Sequence, residues 1–246
     1  MDRIIYYILT AVAVLITLSI HEYCHGYAAY KLGDPTARNL GRLTLNPIKH
    51  LDPIGALCMV LFHFGWAKPV PINPRYFKKP KRDFAITALA GPLSNLVIAF
   101  AAAFLYAVAY KLLSSISYAN EFVLSLAQNT LNFIFIFHAV NIGLALFNLI
   151  PVPPLDGSRL LNALLPAKAY FAIMKHERKI YYFMIGWLLL GGYISSFLLS
   201  IPLVSNTPVL SAIAQLFSLS DLLAKAIDGL SDLMIKLFQS IPFLRT

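Results

Sequence analysis

The chain has 246 residues, of which 59% are hydrophobic and only 13% are charged. Soluble domains contain about 25% charged residues, so this composition excludes an ordinary soluble fold. The net charge of +9 does not indicate nucleic-acid binding, because the basic residues are spread between hydrophobic segments and do not gather on one polar face. We therefore expect an all-α polytopic membrane protein with no nucleic-acid partner.

Four apolar stretches approach or exceed the roughly 20 residues that a helix needs to cross a bilayer. They cover residues 4–20, a segment within 84–113, and residues 131–150 and 180–204. The first stretch continues as a helix to about residue 30 and stops at the turn signal Gly33-Asp34-Pro35. It lacks a small-residue cleavage site, so we expect it to be retained as a membrane helix.

The distribution of basic residues predicts the orientation in the membrane. Ten of the twenty Lys and Arg residues lie within residues 31–82 and five more within 159–179, whereas residues 114–130 contain none. Cytosolic loops carry the excess of Lys and Arg. We therefore expect the first two regions in the cytosol and the third on the opposite side.

Two segments between the first and second predicted spans are too short or too rich in proline to cross the bilayer. Residues 54–66 are apolar but only thirteen in number, which suits a re-entrant or interfacial segment. Residues 68–74, with the sequence KPVPINP, contain three prolines and favour an edge strand or an extended segment. We expect this β-like segment to lie against protein or line a wet cavity, because its backbone has unpaired polar groups.

The last forty residues show a different pattern. Polar residues recur every three or four positions from Ser218 to Lys236 and give one polar stripe on an otherwise apolar helix. This pattern favours an interfacial amphipathic helix. The alternative is a final span with one wet face.

The sequence His21-Glu22-Tyr23-Cys24-His25 is an H-E-x-x-H motif at the predicted cytosolic end of the first helix. Residues four apart lie on one helix face, so both imidazoles can reach one zinc ion. Glu22 lies beside that face and can accept a proton from water that the metal activates. Such residues at membrane depth carry a transfer penalty and indicate a function. The competing interpretation is a polar cluster that only joins helices.

A catalytic zinc usually takes three protein ligands and keeps the fourth position for water. The remaining histidines and a few acidic residues are candidates for the third ligand; the histidines are His50, His63, His138 and His176. Asp156 has the most informative surroundings, because it follows a proline cluster at the end of a long apolar helix. That end is predicted to lie on the same side of the membrane as His21 and His25.

The chain resembles the site-2 protease family of intramembrane zinc metalloproteases, in the form of a small prokaryotic-type member without a PDZ or CBS domain. The resemblance covers about residues 4–165. It rests on three motifs, His21-Glu22-x-x-His25-Gly26, Gly91-Pro92-Leu93-Ser94-Asn95 and Asn148-x-x-Pro151-x-Pro153-Pro154-Leu155-Asp156-Gly157. It implies a three-helix catalytic core in residues 1–165, with C-terminal membrane and amphipathic helices in residues 166–246.

The resemblance also implies a role for each motif residue. It makes His21, His25 and Asp156 the zinc ligands, and it makes Glu22 the catalytic general base. Asn148 and Asn95 would bind the substrate or polarise its carbonyl group.

These features predict a zinc-dependent peptidase that hydrolyses peptide bonds in or near the transmembrane segments of membrane protein substrates. We expect it in the cell membrane, with the active site towards the cytosol. The chief alternative is a transporter or metal-handling protein whose polar residues line a permeation route, although the chain shows no duplicated halves. A catalytically silent scaffold is a third possibility.

Overall fold

The structure is a computed structural model that describes residues 2–55, 67–114, 120–241 and 244, without the side chains of residues 162 and 167. Its helices in chain order are α1 (Arg3–Lys31), α2 (Thr36–Asn39), α3 (Pro47–His50), α4 (Pro80–Ser114), α5 (Glu121–Leu149), α6 (Asp156–Leu164), α7 (Ala167–Met174), α8 (Glu177–Leu199), α9 (Pro202–Ser205), α10 (Pro208–Leu216) and α11 (Leu219–Gln239). A 3-10 turn, Pro74–Tyr76, precedes α4. Within the described ranges there is no β-strand, only an isolated bridge between Leu51 and Ala67.

Four helices, α1, α4, α5 and α8, are long and apolar enough to cross a membrane, and α10 with α11 forms a fifth candidate bent by 95°. This confirms the all-α polytopic class. Two boundaries differ from the predicted ones. Helix α5 begins at Glu121, well before residue 131, because the Asn120 side chain caps it by accepting a hydrogen bond from the Val123 amide at 2.9 Å. Helix α8 ends at Leu199, because Pro202 starts the next helix.

Helices α1, α4 and α5 pack against one another and form the expected three-helix core. Their contact faces are rich in alanine, and Ala13, Ala99 and Ala145 are completely buried. Small residues let membrane helices approach closely, which strengthens van der Waals packing between them. Polar bonds also link the helices, such as the one from the Asn141 side-chain amide to the Thr17 hydroxyl at 2.9 Å.

Residues 67–73, which we call the proline segment, run in an extended conformation beside α1. The amide of Lys68 donates to the carbonyl of His50 at 2.8 Å, so the segment is paired at its start. Among the residues that the structure describes, the predicted β-like character is therefore local and builds no sheet. The predicted re-entrant stretch, residues 54–66, lies outside the described residues apart from its first two positions.

Helix α11 does not lie apart from the core, as expected of a helix in the membrane interface. Ile227 faces α5, where a Cβ on Gly143 would be 3.1 Å from the Ile227 Cδ1 atom. Phe238 packs between Phe100 and Phe104 of α4, with ring centroids 4.8 and 5.3 Å apart. Helix α11 therefore runs along the spanning helices, from Gly143 of α5 towards the C-terminal end of α4. These contacts favour the alternative, a final span with one wet face.

The polar stripe of α11 faces away from these contacts. Its charged residues, Asp221, Lys225, Asp228, Asp232 and Lys236, are all exposed. Asp232 and Lys236 form an ion pair at 3.4 Å along the helix surface, a geometry that contributes little to stability at an exposed position. Apolar packing on the other face therefore holds α11 in place.

We predict that Phe238→Ala destabilises the fold by about 1–3 kcal/mol, because it removes two aromatic pairs between α11 and α4. The measurement is thermal unfolding in detergent. Phe197→Ala is the matched control, since Phe197 is 68% exposed on α8, and we expect it to leave the unfolding temperature nearly unchanged. Equal unfolding temperatures for the two variants would contradict the packing role of Phe238.

Candidate active site

The H-E-x-x-H residues lie on the part of α1 that faces α4. His21 and His25 are 4% and 5% exposed, and their ring centroids are 4.6 Å apart, as expected for residues one helical turn apart. Asp156 is the first residue of α6, which follows the proline cluster after α5. The connection after α5 thus places a carboxylate that is distant in sequence beside the two imidazoles.

Three potential ligand atoms converge at this point. The Nε2 atoms of His21 and His25 are 3.0 Å apart, and the Asp156 Oδ2 atom lies 3.2 Å from the first and 3.0 Å from the second. Zinc with bonds of 2.0–2.1 Å in a tetrahedral site separates its ligand atoms by about 3.3 Å. The spacing of the three atoms therefore fits one face of a zinc coordination tetrahedron.

The Nδ1 atom of each imidazole, on the other side of the ring from Nε2, has a partner on α4. The His25 Nδ1 atom donates to the carbonyl of Thr87 at 2.7 Å, so the Nε2 atom of the neutral ring carries a bare lone pair. The His21 Nδ1 atom lies 3.1 Å from the side-chain amide of Asn95. The Asn95 Oδ1 atom has no other partner among the described residues, so with the amide group flipped it accepts from the His21 Nδ1–H group and leaves the Nε2 lone pair for a metal. Such partners fix the tautomer and orientation of metal-binding histidines. Converging lone pairs repel unless a cation lies between them, so this arrangement fits a metal ion.

Asp156 is suited to bind a cation because it is ionised. An aspartate carboxyl is ionised at neutral pH, and the Asp156 Oδ2 atom lies within 3.2 Å of both imidazole Nε2 atoms. Two imidazoles and one carboxylate are a donor set typical of catalytic zinc. Within the described ranges, His21, His25 and Asp156 are the group placed to hold a metal ion.

The other candidate ligands lie elsewhere. His50 binds the carbonyl of Thr44 at 2.7 Å, and His138 donates to the carbonyl of Ala99 at 2.8 Å. His176 precedes the first residue of α8 as its N-cap. His63 falls outside the described residues.

Gly91 is a site residue for which the sequence had given no role. A Cβ at this position would lie 2.7 Å from the His21 Cε1 atom and closer still to the His25 ring. Only glycine lets α4 approach the two imidazoles so closely. Its place in the Gly91-Pro92-Leu93-Ser94-Asn95 motif was the available signal.

A cavity of about 970 Å³ adjoins the metal centre. It is lined by residues of the three-helix core, the proline segment, α6, α8 and α11. His21, Glu22, His25 and Asp156 all line it, so the chemical groups are accessible from the cavity. Glu22 is held by a hydrogen bond from the Val70 amide to its Oε2 atom at 2.7 Å.

The two predicted substrate-binding asparagines lie in different environments. Asn148 lines the cavity, and its side-chain amide donates back to the carbonyl of Leu144 at 3.0 Å. Its position agrees with a substrate contact, which stays a prediction. Asn95 is fully buried behind His21 and is not among the residues that line the cavity. Its position fits a partner of His21 better than the predicted substrate contact.

An all-helical membrane protein with two histidines, a distant carboxylate and a glutamate around a wide cavity has the architecture of a membrane metallopeptidase. The chain belongs to peptidase family M50, whose family model matches residues 9–192. This result confirms the resemblance to site-2 proteases and gives no support to a transporter.

Curated relatives agree with this assignment. The chain is 42% identical over 171 residues to "Putative zinc metalloprotease YwhC" of Bacillus subtilis, which covers 68% of this chain and 75% of that protein. It is 27% identical over 179 residues to "Putative zinc metalloprotease Rip2" of Mycolicibacterium smegmatis, covering 67% of this chain and 63% of that protein. It thus spans less than two thirds of that second relative. No solved structure matches the chain.

We predict that Asp156→Ala abolishes zinc retention, because two imidazoles alone bind the metal weakly. Metal content per chain after dialysis in detergent is the measurement. Asp228→Ala, at an exposed position of α11, should retain zinc like the wild type. A full zinc complement in Asp156→Ala would remove Asp156 from the ligand set.

We predict that Asn95→Ala lowers zinc affinity by about 10- to 100-fold, because His21 loses the group that fixes its ring. Competition with a chelator measures the affinity. Asn141→Ala is the matched control, since Asn141 is equally buried but contacts Thr17, and it should cost stability without changing zinc affinity. Equal zinc affinities in the two variants would contradict the proposed contact between Asn95 and His21.

Proposed function

We propose that the protein is a zinc-dependent endopeptidase that cleaves substrate proteins in or beside their membrane-spanning segments. One observation carries this proposal: two of the three candidate ligands, His21 and His25, lie inside a spanning helix. His21 and His25 are ten and six residues before the end of α1 at Lys31, which places them roughly 9–15 Å along the helix from that end. A substrate must therefore bring its peptide bond to membrane depth.

The chemistry needs a metal, water and an accessible peptide bond. His21, His25 and Asp156 would hold a zinc ion, which when bound would supply the Lewis acid that makes water nucleophilic at neutral pH. Glu22 takes a proton from this water as oxygen attacks the peptide carbonyl carbon. It returns the proton to the leaving nitrogen as the carbon–nitrogen bond breaks. Asn148 is placed to hold the substrate carbonyl.

The bilayer withholds water and favours helices, whose peptide bonds are hidden. The 970 Å³ cavity next to the metal centre offers room for both water and a locally unwound peptide. The proline segment forms part of its wall and can pair with an extended substrate by strand addition. We infer that water enters the cavity from the cytosolic end of the helix bundle and that a substrate helix enters it from the side, out of the bilayer.

The partners that this scheme requires are membrane protein substrates, embedded in the same lipid bilayer. The basic residues of the connection between α1 and α4 favour the cytosolic side for the end of the bundle nearest the metal centre. We propose the cell membrane as the location, with the active site towards the cytosol.

The decisive experiment compares the wild type with Glu22→Gln on a panel of single-span membrane proteins in detergent or vesicles. We predict that Glu22→Gln abolishes cleavage and retains one zinc per chain, because an amide cannot take up the proton. Glu121→Gln, at the opposite end of the core, is the matched control and should cleave normally. Cleavage by Glu22→Gln at the wild-type rate would refute the assigned base.

A further inference from the structure

The proline segment is fixed along its whole length by groups of the protein. Its start is held by the His50 carbonyl at Lys68. The Arg42 guanidinium donates to the carbonyls of Lys68 and Pro69 at 2.8 and 3.3 Å. Its end is held where the Asn73 amide donates at 2.6 Å to Asp34, a fully buried carboxylate. The segment is therefore a rigid strip beside the metal centre.

Gly26 brings the middle of this strip onto α1. A Cβ at Gly26 would lie 3.1 Å from the Val70 Cγ1 atom and 3.3 Å from the Leu43 Cδ1 atom. Any larger residue would push Val70 away from the helix. The close approach brings the Val70 backbone within hydrogen-bonding distance of Glu22, one turn earlier on α1.

The resulting bond, 2.7 Å between the Val70 amide and the Glu22 Oε2 atom, uses one carboxylate oxygen. Among the described contacts the other oxygen has no protein partner, so it is left for water. A backbone amide in a rigid strip cannot rotate away, unlike a side-chain donor. The carboxylate is therefore held in one orientation before substrate arrives, which is the kind of pre-organisation that favours proton transfer.

The other amides of the strip cannot replace Val70. Pro69 and Pro71 have no N–H group, and the amides of Lys68 and Asn73 are already bonded to protein. Among the described contacts, the Ile72 amide is the one from 68–73 that no protein group accepts, and Ile72 lines the cavity. The strip thus carries two N–H donors with different surroundings: the Val70 amide is bonded to Glu22, and the Ile72 amide has no acceptor among the described contacts.

We propose that the Val70 amide positions the general base Glu22, whereas the Ile72 amide is left for the substrate backbone. This inference rests on the proposed peptidase function and deepens it. It assigns substrate pairing to the Ile72 amide and to carbonyl oxygens of the strip. A bound substrate strand must therefore supply mostly N–H donors at this wall, so proline in the paired stretch would be rejected.

The test removes each N–H group in turn with proline, which the extended strip already accepts at positions 69 and 71. We expect Val70→Pro to lower kcat about 10- to 100-fold, the usual cost of losing an outer partner of a catalytic group, with KM and bound zinc unchanged. Ile72→Pro should instead raise KM and leave kcat near the wild type. Val70→Ala keeps the amide, so its loss of kcat measures the side-chain packing alone and should be much smaller than that of Val70→Pro.

Three results would overturn the proposal: wild-type kcat in Val70→Pro, an equal loss of kcat in Val70→Ala, or an equal loss in Ile72→Pro. The second would show that side-chain packing matters, and the third that proline distorts the strip. If Val70→Pro does not fold, the α-hydroxy analogue of valine at position 70 replaces N–H by oxygen without a ring, and the same loss of kcat is expected.

These experiments distinguish failure of the positioning role from failure of the proposed peptidase function. A wild-type protein that cleaves no membrane substrate, or an active Glu22→Gln variant, would refute the peptidase mechanism. Inactive Glu22→Gln together with a fully active Val70→Pro would refute only the positioning role. Cleavage of a substrate series with single prolines around the cut bond then tests whether pairing to the carbonyl oxygens of the strip excludes proline.

Discussion

The convergence of His21, His25 and Asp156 is the constraint on which the rest of the structure depends. The lone pairs of His21 and His25 meet one from Asp156, which lies more than 130 residues further along the sequence, within 3.2 Å inside a bundle of membrane helices. In a medium of low polarity such a cluster is costly unless a cation balances it. The position of the three helices, the glycine at their contact and the turn that starts α6 all follow from this requirement.

The polar groups around the three ligands also support metal binding, because they hold the imidazole rings in place. The carbonyl of Thr87 and the side chain of Asn95 bind the outer nitrogens of the imidazoles, and both come from α4. The metal centre is therefore held by α4 although none of its predicted ligands lies there. The Gly91 motif contributes through the backbone, by removing a side chain that would occupy the place of the histidine rings.

The proline segment shows how a strip of irregular backbone can exist at membrane depth. Prolines remove N–H groups that would otherwise need partners, and Asp34, Glu22 and the His50 carbonyl accept most of those that remain. Asp34 is well satisfied, because it also accepts from the amide of Thr36 at 2.9 Å. The same bonding that makes the strip rigid connects it to the glutamate of the active site.

The sequence by itself determined the class, the four main spans and the residue types at the centre, because hydropathy over about 20 residues and i, i+4 spacing are local properties of the chain. It also favoured Asp156 among several candidates for the third ligand, through the proline cluster before it, and the family resemblance implied the same residue. It did not determine the position of Asn95 behind His21, the packing of α11 along α4 and α5, or the bond between Val70 and Glu22. These depend on which helix faces meet and on distances between residues far apart in the chain, and only the tertiary structure decides them.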